Sequence, residues 1–215
     1  MKTAARILSV AMLVLAPSGG SAEEGFEPLF NGVSLDGWVL LGQHGDGYVV
    51  NDGKIVCPPG SGGNLMSASE YSDFVLRFEF KLEPGSNNGL CIRCPLAWRA
   101  LAYDGNELQI IDNSSERYAS IKPWQKHGSL YHVAPAKTGA LKPVGEWNSQ
   151  EVTADGTKIR VVLNGKTILD TDTRDVRDPA LLARHPGLKR TSGHVGFLGH
   201  NEPAEFRNIR IRRLR

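Results

Sequence analysis

Phe74-Val75-Leu76-Arg77-Phe78-Glu79-Phe80-Lys81-Leu82 is the stretch that decides the fold. Its apolar residues Phe74, Leu76, Phe78, Phe80 and Leu82 alternate with Val75, Arg77, Glu79 and Lys81, and only an extended chain sends every second side chain to the same face. A helix would scatter the five apolar groups around its circumference. The stretch therefore reads as a strand with one face in a core and the other in water, as antiparallel sheets allow. On either side the chain repeats this grammar. Tyr48-Val49-Val50 and Lys54-Ile55-Val56 flank Asn51-Asp52-Gly53, Val161-Val162-Leu163 and Thr167-Ile168-Leu169 flank Asn164-Gly165, and Asp155-Gly156 offers a further tight turn. Residues 194–200 and 205–214 add two more strands. The sum is an all-β chain, a two-sheet antiparallel β-sandwich of the jelly-roll kind. One short helix is expected, capped by Asp178, opened by Pro179 and stopped by Pro186-Gly187, as a surface insertion without a catalytic role.

Residues 1–22 have the layout of a secretory signal peptide: Lys2 and Arg6, an apolar run from Ile7 to Ala16, then Gly20-Ser21-Ala22. The run is shorter than the roughly 20 residues that span a bilayer comfortably. A secreted or periplasmic protein is expected, with residues 23–215 as a single domain and no membrane insertion after cleavage. Loss of Lys2 and Arg6 takes 25 Lys+Arg to 23, level with the 23 Asp+Glu. A neutral mature chain gives no reason to expect nucleic acid as a partner. The basic end, Arg207 to Arg215, alternates Ile209 and Ile211 with arginines and reads as a final edge strand protected by charge. Of the three cysteines, Cys91 and Cys94 would point to opposite faces of a flat strand and should not pair with each other, whereas Cys57 with either stays open.

The chemistry concentrates in Gly105-Asn106-Glu107-Leu108-Gln109-Ile110-Ile111-Asp112. Glu107 and Gln109 share one face of that strand while Leu108 and Ile110 enter the core. An extra residue at the Ile110-Ile111 step, a β-bulge, would return Asp112 to the face of Glu107. Two carboxylates on one concave face are the minimum for cleaving a glycosidic bond, one as acid and one as base or nucleophile. By strand parity Arg93 would face the same cleft as Cys91 and serve as an electrostatic clamp. The long segment from Asn113 to Glu146 carries Trp124, His127, Tyr131 and His132, and segments of that length in a compact domain are usually functional or mobile. Its aromatic residues could stack on a sugar, or Trp124 and Trp147 could pin the segment down.

Several fragments, taken together and in order, resemble a known family. Phe26-Glu27-Pro28-Leu29-Phe30-Asn31-Gly32 with Leu35-Asp36-Gly37-Trp38 opens the series, followed by Ser86-Asn87-Asn88-Gly89-Leu90 and Arg93. Glu107-x-Gln109-Ile110-x-Asp112, Gly145-Glu146-Trp147-Asn148, Leu163-Asn164-Gly165, Gly196-x-x-x-His200 and Phe206-Arg207-Asn208-Ile209-x-Ile211 complete it. This order is similar to that of the 3-keto-disaccharide hydrolase domain family of secreted bacterial proteins. The resemblance implies a concanavalin A-like sandwich with a sugar cleft on its concave face and a carbohydrate substrate. It also implies a hydrolase of 3-keto-glycosides that abstracts the C2 proton, eliminates the C1 oxygen and adds water. Glu107 is then the base, Asp112 or His200 the proton donor or metal ligand, and Arg93, Gln109, Trp124, Tyr131 and His132 contact substrate. A divalent metal held by Glu107, Asp112 and a histidine is compatible with this chemistry. A non-catalytic carbohydrate-binding module and a retaining glucanase stay open as alternatives, the latter requiring two carboxyl groups about 5–5.5 Å apart.

Overall fold

The computed structural model describes residues 25–97 and 100–214, so the expected signal at residues 1–22 lies outside the described residues. Strands β1 (Glu27–Pro28), β2 (Trp38–His44), β3 (Val49–Asn51), β4 (Lys54–Cys57), β5 (Gly62–Ser67), β6 (Phe74–Leu82) and β7 (Asn87–Cys94) precede helix α1 (Leu101–Asp104). Then come β8 (Asn106–Ile111), β9 (Trp147–Asp155), β10 (Lys158–Leu163), β11 (Lys166–Asp172), helix α2 (Pro179–Arg184), β12 (His194–His200) and β13 (Ala204–Arg213). They form two antiparallel sheets. The larger runs β11, β10, β9, β6, β13, β4, β3, with β1 attached to β13, and the smaller runs β2, β5, β12, β7, β8. The expected all-β sandwich is the observed fold.

The alternation in β6 does what the sequence demands. Phe74, Leu76, Phe78, Phe80 and Leu82 are all buried, and Phe78 meets Phe197 of the opposite sheet edge to face at 5.7 Å between ring centres. Phe197 in turn stacks on Phe206 at 3.9 Å. Removing one such ring to alanine costs about 3–5 kcal/mol, because the neighbours cannot close the space. The Asn51-Asp52-Gly53 and Asn164-Gly165 hairpins form as expected. Asp52, Gly53, Asn164 and Gly165 all adopt positive φ, the requirement of the tightest hairpin turns. Helix α2 also forms as expected, with the Asp178 carboxylate accepting from Ala180 N at 2.9 Å.

The final strand and β7 both depart from expectation. The last strand is not an edge: β13 lies between β6 and β4. Its arginines are consumed by the sheet surface, Arg207 donating to Glu79 at 2.7 Å and covering the ring of Trp147 at 3.9 Å. Ile209 and Ile211 are buried, as the alternation required. The second failure is in β7. Arg93 has φ 52°, and Ile92 and Arg93 together stand opposite the single residue Val195, since Cys91 pairs with Gly196 and Cys94 with His194. This bulge resets the parity of everything after it. Cys94 returns to the face of Cys91, and the two form a disulfide with their Cα atoms 6.1 Å apart. Cys57 stays free and buried.

The same bulge turns Arg93 away from the concave face. Its guanidinium donates to Ser72 O, Gly156 O and Asp73, tying the end of the smaller sheet to the larger one. Strand β8 would be an exposed edge, but the segment after it folds back alongside. Gln109 N donates to Ser129 O, Gly128 N to Gln109 O and Tyr131 N to Glu107 O, satisfying the backbone that would otherwise offer itself to another chain. His127 anchors that segment in the core, bonded to Gln150 at 3.0 Å and stacked on Phe80.

Candidate active site

Strand β8 pairs with β7 in unbroken register, Cys91 with Glu107, Gly89 with Gln109 and Asn87 with Ile111. Glu107, Gln109 and Ile111 therefore share the concave face. No extra residue intervenes between Ile110 and Ile111, so the bulge expected there is absent and Asp112 faces elsewhere. Around Glu107 the chain leaves a cleft of about 290 Å³. Asn87, Glu107, Gln109, Gln125 and His200 supply its polar lining, and Tyr103, Tyr118 and Tyr131 its aromatic walls.

Glu107 is 4 % exposed, and among the described residues no side chain pairs with its carboxyl. Burial alone pushes its pKa up to about 8, because a charged oxygen here has lost water without gaining a partner. Space for the carboxyl comes from Gly89, the β7 residue diagonally behind it, where any Cβ would collide with a Glu107 carboxylate oxygen. Gln109 donates from Nε2 to Asn87 Oδ1 at 2.8 Å, which orients the pair and leaves the other end of each amide available to a ligand. Tyr118 is already committed, its hydroxyl donating to Gly85 O at 3.0 Å. His200 sits at the strand end, where desolvation and the nearby His44 lower its pKa against the opposing pull of Glu202.

The structure thus brings Glu107, Gln109, Tyr131 and His200 together and separates the rest. Asp112 lines a different cleft of about 460 Å³ with Thr138, Gly139 and residues 141–144. Its carboxylate accepts from Gly85 N at 3.0 Å and from the amide and hydroxyl of Ser114. Burial works to raise its pKa, but those bonds and one from Ser115 N outweigh it and hold the group below its ordinary value. Arg93 does not clamp a substrate, for the reason given by the bulge. Trp124 and His132 stand behind the aromatic wall: their rings stack at 3.7 Å, and Trp124 meets Tyr131 edge to face. His127 is core, with burial lowering its pKa to about 4.

A metal held by Glu107, Asp112 and a histidine does not fit this geometry, since the two acids open into different clefts. Among the described residues no group of three metal-ligating side chains converges. Four polar and aromatic cleft residues escaped the sequence reading as site members: Asn87, Tyr103, Tyr118 and Gln125. Asn87 could have been found by pairing Ser86-Asn87-Asn88-Gly89 with the acidic strand. Tyr103 could not, because its place depends on how α1 packs, with its ring 4.8 Å from that of His185 beyond α2.

The model of the 3-keto-alpha-glucoside-1,2-lyase-like domain matches residues 25–212. A 3-keto-disaccharide hydrolase of Bacteroides thetaiotaomicron is 25% identical over 89% of this chain and 79% of its own length. Among solved structures, a Parabacteroides distasonis protein provisionally described as a glycosyl hydrolase is 27% identical, with a TM-score of 0.75 over 88% of this chain and 99% of that one. A Bacillus subtilis protein with a galectin-like fold reaches a TM-score of 0.60 at 11% identity, over 87% of this chain and 94% of that one, a likeness of fold alone.

Proposed function

The chain belongs to the 3-keto-alpha-glucoside-1,2-lyase-like domain family, and from that premise we propose that it cleaves 3-keto-glycosides by elimination followed by hydration, with Glu107 as the base. A ketone at C3 acidifies the hydrogen on C2. Glu107 takes that proton, the electron pair passes through the enolate to form the C1–C2 double bond, and the glycosidic oxygen leaves with the C1–O pair. Water then adds at C1 and the proton returns to C2. No oxocarbenium ion and no second carboxylate are needed.

The observation that carries this reading is a single unpaired acid in a sugar-sized cleft, its pKa moved to about 8. A base works best with a pKa near the operating pH, strong enough to pull a carbon-bound proton and still deprotonated in part. A retaining glucanase would need a partner carboxylate about 5–5.5 Å away. Among the described residues Glu107 is the one acid lining the cleft. Gln109, Asn87 and His200 then hold sugar hydroxyls. The layout of residues 1–22 supports export to the periplasm or beyond as the setting.

The test is direct. Purified protein is incubated with a glucose disaccharide and with its 3-keto counterpart, with and without chelator, and released sugar is measured. Cleavage confined to the keto substrate is expected. Binding of both without cleavage of either would leave a carbohydrate-binding module instead.

A further inference from the structure

Elimination needs a proton at the leaving oxygen as well as a base at C2. Of the two donors that the resemblance implied, Asp112 opens into the other cleft, and His200, its pKa lowered chiefly by burial, carries no spare proton at neutral pH. The segment folded against β8 supplies a candidate. Leu108 bridges Leu130 in antiparallel fashion and Tyr131 N donates to Glu107 O at 2.9 Å, so Glu107 and Tyr131 are directly opposed. Opposed residues of an antiparallel pair project to the same face with Cβ atoms about 4.5–5.5 Å apart. Both line the cleft. On the other flank Glu107 has Cys91, locked in its disulfide, and the bare backbone of Gly89.

We propose that Tyr131 is the general acid of the reaction, delivering its phenolic proton to the glycosidic oxygen while Glu107 takes the C2 proton. The inference rests on the elimination reading above. The steps balance. The C1–O bond breaks with its electron pair on the leaving oxygen, which receives the Tyr131 proton. The resulting phenolate takes a proton from the water that adds at C1, and Glu107 returns its proton to C2.

The other cleft hydroxyls are worse placed. Tyr118 is spent on Gly85 O, and Tyr103 projects from α1 with its ring centre 6.4 Å from that of Tyr131. Gln125, fixed by accepting from Lys122 N at 3.0 Å, acts on the Tyr131 phenol from the cleft wall. Burial raises the phenol pKa and Gln125 offsets only part of that, so the proton is in place at neutral pH.

General acid assistance matters in proportion to how poor the leaving group is. Tyr131→Phe should therefore lose about 10²-fold or more on a 3-keto-disaccharide, within the usual 10²–10⁴-fold contribution of such a group. On a nitrophenyl 3-keto-glucoside, whose leaving group needs no proton, the loss should stay under about tenfold. Equal losses on both substrates would show that Tyr131 only shapes the cleft and would overturn the proposal. So would the same substrate-dependent loss appearing in Tyr103→Phe instead. The parent gives an arm independent of any variant: across substituted phenyl 3-keto-glucosides its rate should depend weakly on the phenol pKa, and a steep dependence would count against an acid at this position. A parent inactive on both substrates would remove the elimination reading itself, whereas an active parent with equal variant losses would remove Tyr131 alone.

Discussion

Glu107 and Asp112 belong to one short stretch of chain and receive opposite treatment. Asp112 follows the strand where the backbone turns, and four neighbouring donors close on its carboxylate. Glu107 lies inside β8 and faces the cleft, its backbone groups spent on the sheet and its side chain left without a partner. One acid is therefore held ionised and inert, the other poised near neutrality. The lesson is that strand position decides the chemistry of an acid. A turn exposes N–H groups that stabilise charge, whereas a sheet face offers none.

The largest expected effect attacks the poised side of this contrast. Glu107→Gln keeps the shape and removes the basic oxygen, so cleavage of a 3-keto-glycoside should fall by about 10²–10⁴-fold while sugar binding survives. Activity retained within a few-fold would move the base elsewhere. The pH profile should carry the same signature in the parent. With the free-enzyme base titrating at about 8, kcat/KM should climb through neutrality by roughly tenfold per pH unit and level off above that value. A flat profile between about pH 6 and 8 would mean that Glu107 is not the group whose ionisation limits the reaction.

The inert side should break differently. Asp112→Ala strips the acceptor from Gly85 N and from Ser114, and bonds to charged groups are worth about 1.5–3 kcal/mol each when removal leaves donors unpaired. A net loss of about 2–3 kcal/mol is expected after water reaches the freed groups. Activity of the folded fraction should stay within a few-fold of the parent. Loss of turnover without loss of stability would put Asp112 back among the reacting groups.

Much of this could be read from the chain because it is local. The period of Phe74 to Leu82 and the Asn-Gly and Asp-Gly turns each contain their own answer within a few residues, and the placement of Glu107 beside Gln109 follows from the same period. Errors entered wherever one residue changed the count. A left-handed Arg93 flipped the parity of Cys94 and removed Arg93 itself from the cleft, while the bulge expected before Asp112 did not form. Nothing in the identity of Arg93 announces a positive φ. Long-range pairing was the other blind spot. Whether Ala204–Arg213 is an edge or a centre depends on β4 arriving on its far side, and the role of Tyr131 depends on a return of the chain after a long irregular segment.

The smallest effect is the one that tests the contrast most cleanly, because it needs no substrate. Glu107 titrates at about 8 in the folded protein against an ordinary 4.5, so between those values the native state holds a proton that the unfolded chain has released. The unfolded state then binds fewer protons, and stability must fall as pH rises through that window. Any contribution from Glu107 is unimpaired below about pH 4.5 and fully penalised above about 8. Glu107→Gln cannot titrate. Its melting temperature should lie below that of the parent near about pH 4, where only the cost of an unpaired amide is felt, and exceed it at pH 7 by the equivalent of roughly 1–2 kcal/mol, because the parent then carries an ionisation penalty larger than that cost. For a domain of this size that is a rise of about 2–8 °C. Asp112 should slope the other way. Its pKa is held below the ordinary 3.8, so the stability it adds is present above that value and disappears as pH falls through the depressed one. The difference between Asp112→Ala and the parent should therefore be widest at neutral pH and shrink in acid. Two variants of one stretch, melted across pH, would show an acid whose removal helps at neutrality and an acid whose removal hurts there. If both differences carry the same sign at pH 7, the opposite treatment of Glu107 and Asp112 is wrong, and with it the reason for choosing Glu107 as the base.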